Sequence, residues 1–192
     1  MGEVRSSIVH ISHEAVYWTA LAHLPNWSRK KINQLFDVLL INRFTFSDFF
    51  LLNPEDWKSL FHLSEADIQV LITAQKKITH YSALVEKLYG LGYEIIPVHS
   101  RSYPSQLREK LGKSHTPTII YIRGNTALLN QPAVSLFGSN RGSGNGLIFS
   151  QNMIQHFVQN QLVLVTSYDL GYNRYILNLC VYGKILIQQM AR

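Results

Sequence analysis

With a single cysteine, Cys180, in 192 residues, the chain cannot close an internal disulfide, and that economy fits a reducing compartment. Long apolar runs are also missing. None reaches the roughly 18 residues that a membrane span requires, and the N-terminus lacks the basic-then-apolar layout of a signal peptide, so the expectation is a cytoplasmic protein with no membrane partner. No H-E-x-x-H and no paired cysteines occur, and His10 with His13 is an isolated pair near the terminus; neither metal nor cofactor is expected. No G-x-S-x-G elbow precedes a helix, which leaves Ser139 and Ser143 without a case for nucleophilic catalysis. Acidic residues become rare after Glu109, where only Asp169 faces seven Lys and Arg residues.

What is present is a globular composition, 46% hydrophobic, with a formal net charge of +6. The charge is one-sided. Met1 to His80 carries eight Lys/Arg and eight Asp/Glu, whereas Tyr81 to Arg192 carries ten against four. The second half should therefore hold a positive field, for which polyanions are the natural partner.

The first ninety residues repeat apolar positions at helical spacing behind cap residues. Ile32, Leu35, Phe36, Leu39 and Leu40 form a stripe after the N-cap Ser28; Asn53-Pro54 with Asp56 starts a second helix; Ser64 with Asp67 makes a capping box for a third, carrying Ile68, Leu71 and Ile72. A last helix, Ser82 to Tyr89, stops at Gly90 and Gly92. Residues 1–90 thus read as a small helical domain.

Beyond Gly92 the period shortens. Tyr93 to Val98, Thr118 to Arg123, Ala133 to Phe137, Leu162 to Val165 and Lys184 to Ile187 read as strands, and the helices Leu147 to Gln159 and Arg174 to Val181 alternate with the last three. That βαβαβ order is the first half of a doubly wound parallel sheet, so the fold class is α/β, with a truncated Rossmann-like domain over residues 91–192. Between Phe137 and Leu147 runs a glycine-rich turn, Gly138-Ser139-Asn140-Arg141-Gly142-Ser143-Gly144. Strand, turn without bulk and helix start together present backbone N–H groups and a positive dipole end, a setting for phosphate. It is neither a Walker A loop nor a strict G-x-G-x-x-G.

The tract Gly92-Tyr93-Glu94-Ile95-Ile96, Tyr103-Pro104-Ser105-Gln106-Leu107, Pro117 to Asn125, Leu128 to Val134 and Phe137-Gly138-Ser139 resembles the DNA-processing protein A (DprA/Smf) family. Members bind single-stranded DNA and help load a RecA-type recombinase in natural transformation. The resemblance implies a SAM or helix-hairpin-helix-like N-terminal domain, a non-catalytic role in DNA processing and recombination, and single-stranded DNA and a RecA-type recombinase as partners. It also implies a nucleic-acid pocket at the family's Gly-Ser-Arg turn, matched by Gly138 and Ser139, with Asn140 in the arginine place and Arg141 one residue later. The family's second signature falls on Thr166 to Asn173, where Gly171 matches and Tyr168 and Asp169 replace small residues. The hairpin Leu24 to Ser28 has no glycine, although Arg29, Lys30 and Lys31 follow it.

The candidate nucleic-acid contacts are therefore Gly138, Ser139, Asn140, Arg141, Gly142 and Gly144 at the turn, Gly171 in the second signature, and Arg123, Arg174 and Lys184 as cations, with Tyr168 and Tyr172 as stacking surfaces. A nucleotide sensor or nucleotide-processing enzyme of the related superfold, and a degenerate copy with little activity, are the competing readings.

Overall fold

The structure, a computed structural model, describes residues 13–138, 143–167, 173–176 and, for the backbone, 187–189. The chain forms two compact units, Met1–Gly124 and Asn125–Arg192.

In the first unit a helical stretch over residues 13–22 (α1) is followed by α2 (Arg29–Ile41), α3 (Phe46–Leu51), α4 (Pro54–Phe61), α5 (Glu65–Lys76) and α6 (Ile78–Gly90). The caps do what their chemistry allows. Ser28 Oγ accepts from the Lys31 amide at 3.2 Å and Asn53 Oδ1 from the Asp56 amide at 2.9 Å, while Ser64 and Asp67 close a reciprocal capping box. A second box, Thr45 with Asp48, starts α3. Ile32, Leu35, Phe36 and Leu39 turn inward as their spacing predicts, but Leu40 lies on the outer side of α2, 44% exposed. Helix α6 begins at Ile78, four residues before the predicted start, because Lys77 joins it to α5 with little interruption.

The core of this unit is aromatic. Trp57 is wholly buried, its indole N–H donates to the Phe49 carbonyl at 2.9 Å, and Phe49 in turn meets Phe61 edge-on with centroids 5.0 Å apart. Such a ring cluster fixes the angles between short helices that would not be stable alone.

Strands β1 (Tyr93–Pro97) and β2 (Ile119–Arg123) form an antiparallel pair, Tyr93 opposite Arg123 and Pro97 opposite Ile119. Between them lies α7 (Ser105–His115), which the sequence pattern did not announce because its residues are charged and none is buried. Ile95 and Ile119 share a buried cluster with Ala15, Val16 and Val85, so the pair packs on the helices. The sequence pattern changes near residue 90, while the compact units divide after Gly124.

The second unit opens with a 3₁₀ turn, Thr126–Asn130, and a parallel three-stranded sheet in the order β3 (Ala133–Ser135), β4 (Val163–Thr166), β5 (Ile187–Gln189). Ala133 pairs with Val163, and Leu164 with Ile187. Parallel neighbours need a crossover, which α8 (Gly144–Gln159) supplies between β3 and β4. Ile154, Phe157, Leu164 and Ile176 form its buried core. Of the predicted strand Lys184 to Ile187, residues 184–186 lie outside the described residues and Ile187 opens β5, and of the predicted helix Arg174 to Val181 the described part, 174–176, is helical.

Replacing Trp57 by alanine removes both the ring contacts and the indole hydrogen bond. Urea denaturation is expected to show a loss of about 3–5 kcal/mol; a loss below about 1 kcal/mol would mean that the cluster is not a unit of stability.

Candidate nucleic-acid interface

Helix α8 follows directly on the turn after β3, so its N-terminus stands at the carboxyl end of the parallel sheet, the end at which α/β folds of this kind hold ligands. Ser143 is its N-cap, in extended conformation, and Ser143 Oγ accepts from the Gly146 amide at 3.2 Å. No acidic side chain belongs to the first turn of α8 itself, the end of the helix that carries the positive pole of its dipole. Gly144 is exposed, and a Cβ at that position would meet no atom of the other described residues within 4 Å, its own chain neighbours aside. Packing inside the protein therefore does not require glycine there.

The turn is tied down by a residue outside the predicted set. Asn173 is buried, 5% exposed; its Oδ1 accepts from the Gly138 amide at 3.0 Å and its Nδ2 donates to Ser167 Oγ at 2.8 Å. One side chain thus joins the loop after β3 to the loop after β4. Asn173 is the last residue of the tract Thr166 to Asn173 on which the resembled family's second signature falls, and that position was the available signal. The neighbouring helical turn is held to α8 by Gln151 Nε2, which donates to the Tyr175 hydroxyl at 2.7 Å.

Among the predicted residues, the structure brings Gly138, Gly144 and Arg174 to this end of the second unit. The Gly138 amide points to Asn173 and is satisfied within the protein. Arg174 is exposed beside the buried Asn173. Ser139, Asn140, Arg141, Gly142, Gly171 and Lys184, together with Tyr168 and Tyr172, lie outside the described residues. Arg123 belongs to the first unit, where it ends β2 with its guanidinium 6.0 Å from the centroid of Tyr93, its cross-strand partner. Sequence reasoning also passed over Phe137, which adjoins the turn and is 58% exposed.

The ratio of cations to anions distinguishes the two units, fourteen to eleven in the first and four to one in the second. The ion pairs among the described residues, Lys31–Asp67, Lys58–Glu65 and Lys113–Asp37, all lie in the first. From Asn125 onward the sequence has Arg141, Arg174, Lys184 and Arg192 against Asp169 alone. In the hairpin between α1 and α2, Asn26 takes the left-handed conformation, φ 62°, that a glycine would otherwise supply, and the Trp27 indole turns inward, 9% exposed. Two of the three cations after it are engaged: Arg29 reaches the His115 carbonyl at 3.5 Å, and Lys31 pairs with Asp67 above the Trp27 ring. Among the described residues no group of three or more His, Cys, Asp or Glu is placed to hold a metal ion, and no helix is long and apolar enough to cross a membrane.

Residues 94–183 match the family model described as DNA recombination-mediator protein A. No curated protein matches the chain. The X-ray structure of DNA processing protein A from Streptococcus pneumoniae aligns with a TM-score of 0.60 at 19% identity, covering 90% of this chain and 56% of that one. The likeness is one of fold, a mixed α/β architecture with a helical N-terminal region, and the chain spans little more than half the length of that solved relative.

Asn173→Ala should free the Gly138 amide to exchange, by about fivefold given the roughly 1 kcal/mol at stake in a half-buried hydrogen bond. Asn173→Asp, which keeps an acceptor for Gly138 and can accept from the Ser167 hydroxyl, should retain protection. Native-state hydrogen exchange checks both; equal protection in all three proteins would show that Asn173 does not hold the turn.

Proposed function

We propose that this chain, whose residues 94–183 match the DNA recombination-mediator protein A model, is a member of that family and a non-catalytic, cytoplasmic single-stranded DNA-binding protein acting in DNA processing and recombination. The observation that carries the reading is the exposed N-terminus of α8 at the carboxyl end of a parallel sheet, free of acidic residues in its first turn and set in a unit with one acid against four cations. We read the sheet as the opening of a Rossmann-like fold over residues 91–192, preceded by a helical domain over 1–90.

In this reading the strand's phosphates lie against the main-chain amides of the turn, from Ser139 to Gly144, and against Arg141, Arg174 and Lys184. Gly138 positions the turn through Asn173 and does not itself face the strand. Gly144 lets the backbone of α8 approach a phosphate without a Cβ between them. Phe137 offers a base-stacking face, in keeping with strand binding that reads no sequence. Arg123 and Gly171 remain contacts proposed from the family resemblance, as does a RecA-type recombinase as partner. Binding of this kind needs oriented donors and cations but neither a nucleophile nor a base.

Fluorescence anisotropy with a labelled oligonucleotide tests the proposal, because affinity carried by phosphate contacts must fall steeply as salt rises. Arg141→Ala is expected to weaken binding about tenfold, the value of a charged hydrogen bond, and Arg29→Ala much less. Phe137→Ala should cost about 1–3 kcal/mol of binding at every salt concentration, since stacking is not screened. Gly144→Ala should weaken binding while leaving the thermal midpoint unchanged or higher. Salt-insensitive binding, or equal losses at Arg141 and Arg29, would contradict the turn as the phosphate site.

A further inference from the structure

Helix α8 differs from the other helices in what it shows to solvent. Each of α1 to α7 carries at least one Asp, Glu, Lys or Arg, whereas Gly144–Gln159 carries none. The inner side of α8 is ordinary, with Ser150, Ile154 and Phe157 buried. The outer side is not. Ile148 and Phe149, adjacent in its second turn, are 57% and 59% exposed. Large apolar residues scattered singly over a surface need no account, but two side by side among amides mark a place of contact.

Helical spacing joins the exposed residues into a seam. Asn145, Phe149, Asn152 and His156 follow at intervals of four, three and four and so share one face, with Ile148 at its margin; all five are exposed. The seam is about 16 Å long and offers two rings, two side-chain amides and no charge. Cα–Cβ bonds tilt toward the N-terminus of a helix, so Phe149 leans over the first turn of α8, toward the turn assigned to phosphate.

Charge selects what fits this face. A single strand carries its charge on the phosphates and presents neutral, flat bases beside them, so it requires cations along one line and uncharged rings along another. The second unit has both: four cations against one acid in its sequence, and a seam free of charge that begins where the turn ends. A second copy of the chain fits less well. It would set two units with the same excess of cations against each other, and a strip about 16 Å long on a helix roughly 10 Å across is far below the roughly 800 Å² that each partner buries in a stable complex.

We propose that the outer face of α8 is the base track of the single-strand site, where nucleobases stack on Phe149 and His156 and meet the side-chain amides of Asn145 and Asn152. The inference rests on the reading of the turn as a phosphate site and adds to it a direction, from the turn along α8. An amide offers donors and an acceptor together, so the track accepts any base edge. A duplex, whose bases are already stacked on one another, has no free ring faces to give it.

Fluorescence anisotropy of the full chain tests this by comparing oligothymidylate with an abasic oligomer of the same length and phosphate charge. Phe149→Ala, an exposed change to a better helix former, should weaken oligothymidylate about tenfold while leaving the abasic oligomer and the salt dependence unchanged. Phe149→Trp should bind oligothymidylate at least as tightly as the natural chain. Val158→Ala, on α8 but off the seam, should alter neither ligand. Salt-sensitive binding that Phe149→Ala leaves unchanged, or weakens equally for both ligands, would overturn the base track and leave the turn standing. Loss of all salt-sensitive binding in the natural chain would remove turn and track together. Sedimentation equilibrium addresses the other occupant: a dimer that Phe149→Ala dissolves would give the face to a second copy and overturn the proposal.

Discussion

The candidate interface depends on the buried amide of Asn173. A parallel sheet leaves the loops at its carboxyl end unconnected by strand hydrogen bonds, so their relative position must come from side chains. Asn173 provides it, accepting from the Gly138 amide and donating to Ser167, and thereby ties the segment that leaves β3 to the one that leaves β4. An amide can do this in both directions at once, because it carries an acceptor and two donors on one rigid group. Removing it would leave the half-buried Gly138 amide without its partner, a cost of about 1 kcal/mol. Asn33 serves the first unit in a comparable way, holding two carbonyls of the broken helix α7 against α2. In both places a buried asparagine joins segments of irregular backbone that apolar packing alone would not orient.

The distribution of charge follows the same division. The first unit has fourteen Lys and Arg against eleven Asp and Glu, and three of those cations are paired among the described residues, Lys31 with Asp67, Lys58 with Glu65 and Lys113 with Asp37. These pairs lie at or near the surface, where such contacts contribute little to stability, but they withdraw the cations from other partners. The second unit has one acid against four cations, so most of its charge has no counterion within the same stretch of sequence. That excess is a physical reason to place polyanion binding there and not on the Arg29–Lys31 cluster, two of whose members already hold protein groups.

Much of the fold was legible because the signals were local. Ser28, Asn53 and the Ser64–Asp67 box act within three residues of themselves, and each caps the helix it was expected to cap. The parallel order of β3 and β4 around α8 follows from a crossover that only a helix of that length makes easily. What was not legible depends on distant partners. Helix α7 has no buried residue and hence no apolar stripe, and α3 is too short for its stripe to stand out. Asn173 and Asn33 are polar residues whose importance arises from contacts 35 and 83 residues away, beyond the reach of any periodicity. The same holds for Asn26, which has the backbone role expected of a glycine and so conceals the hairpin from a search for glycine.

The central claim, that amides at the start of α8 and the turn before it receive the phosphates of a single strand, is tested most directly by titrating the isotopically labelled chain with a short unstructured oligonucleotide and following its backbone amides. The account predicts the largest shifts on residues 139–146, with downfield movement of amide protons as they meet phosphate oxygens and with small changes at Arg29, Lys30 and Lys31. Shifts concentrated on α2, with residues 139–146 unmoved, would contradict it.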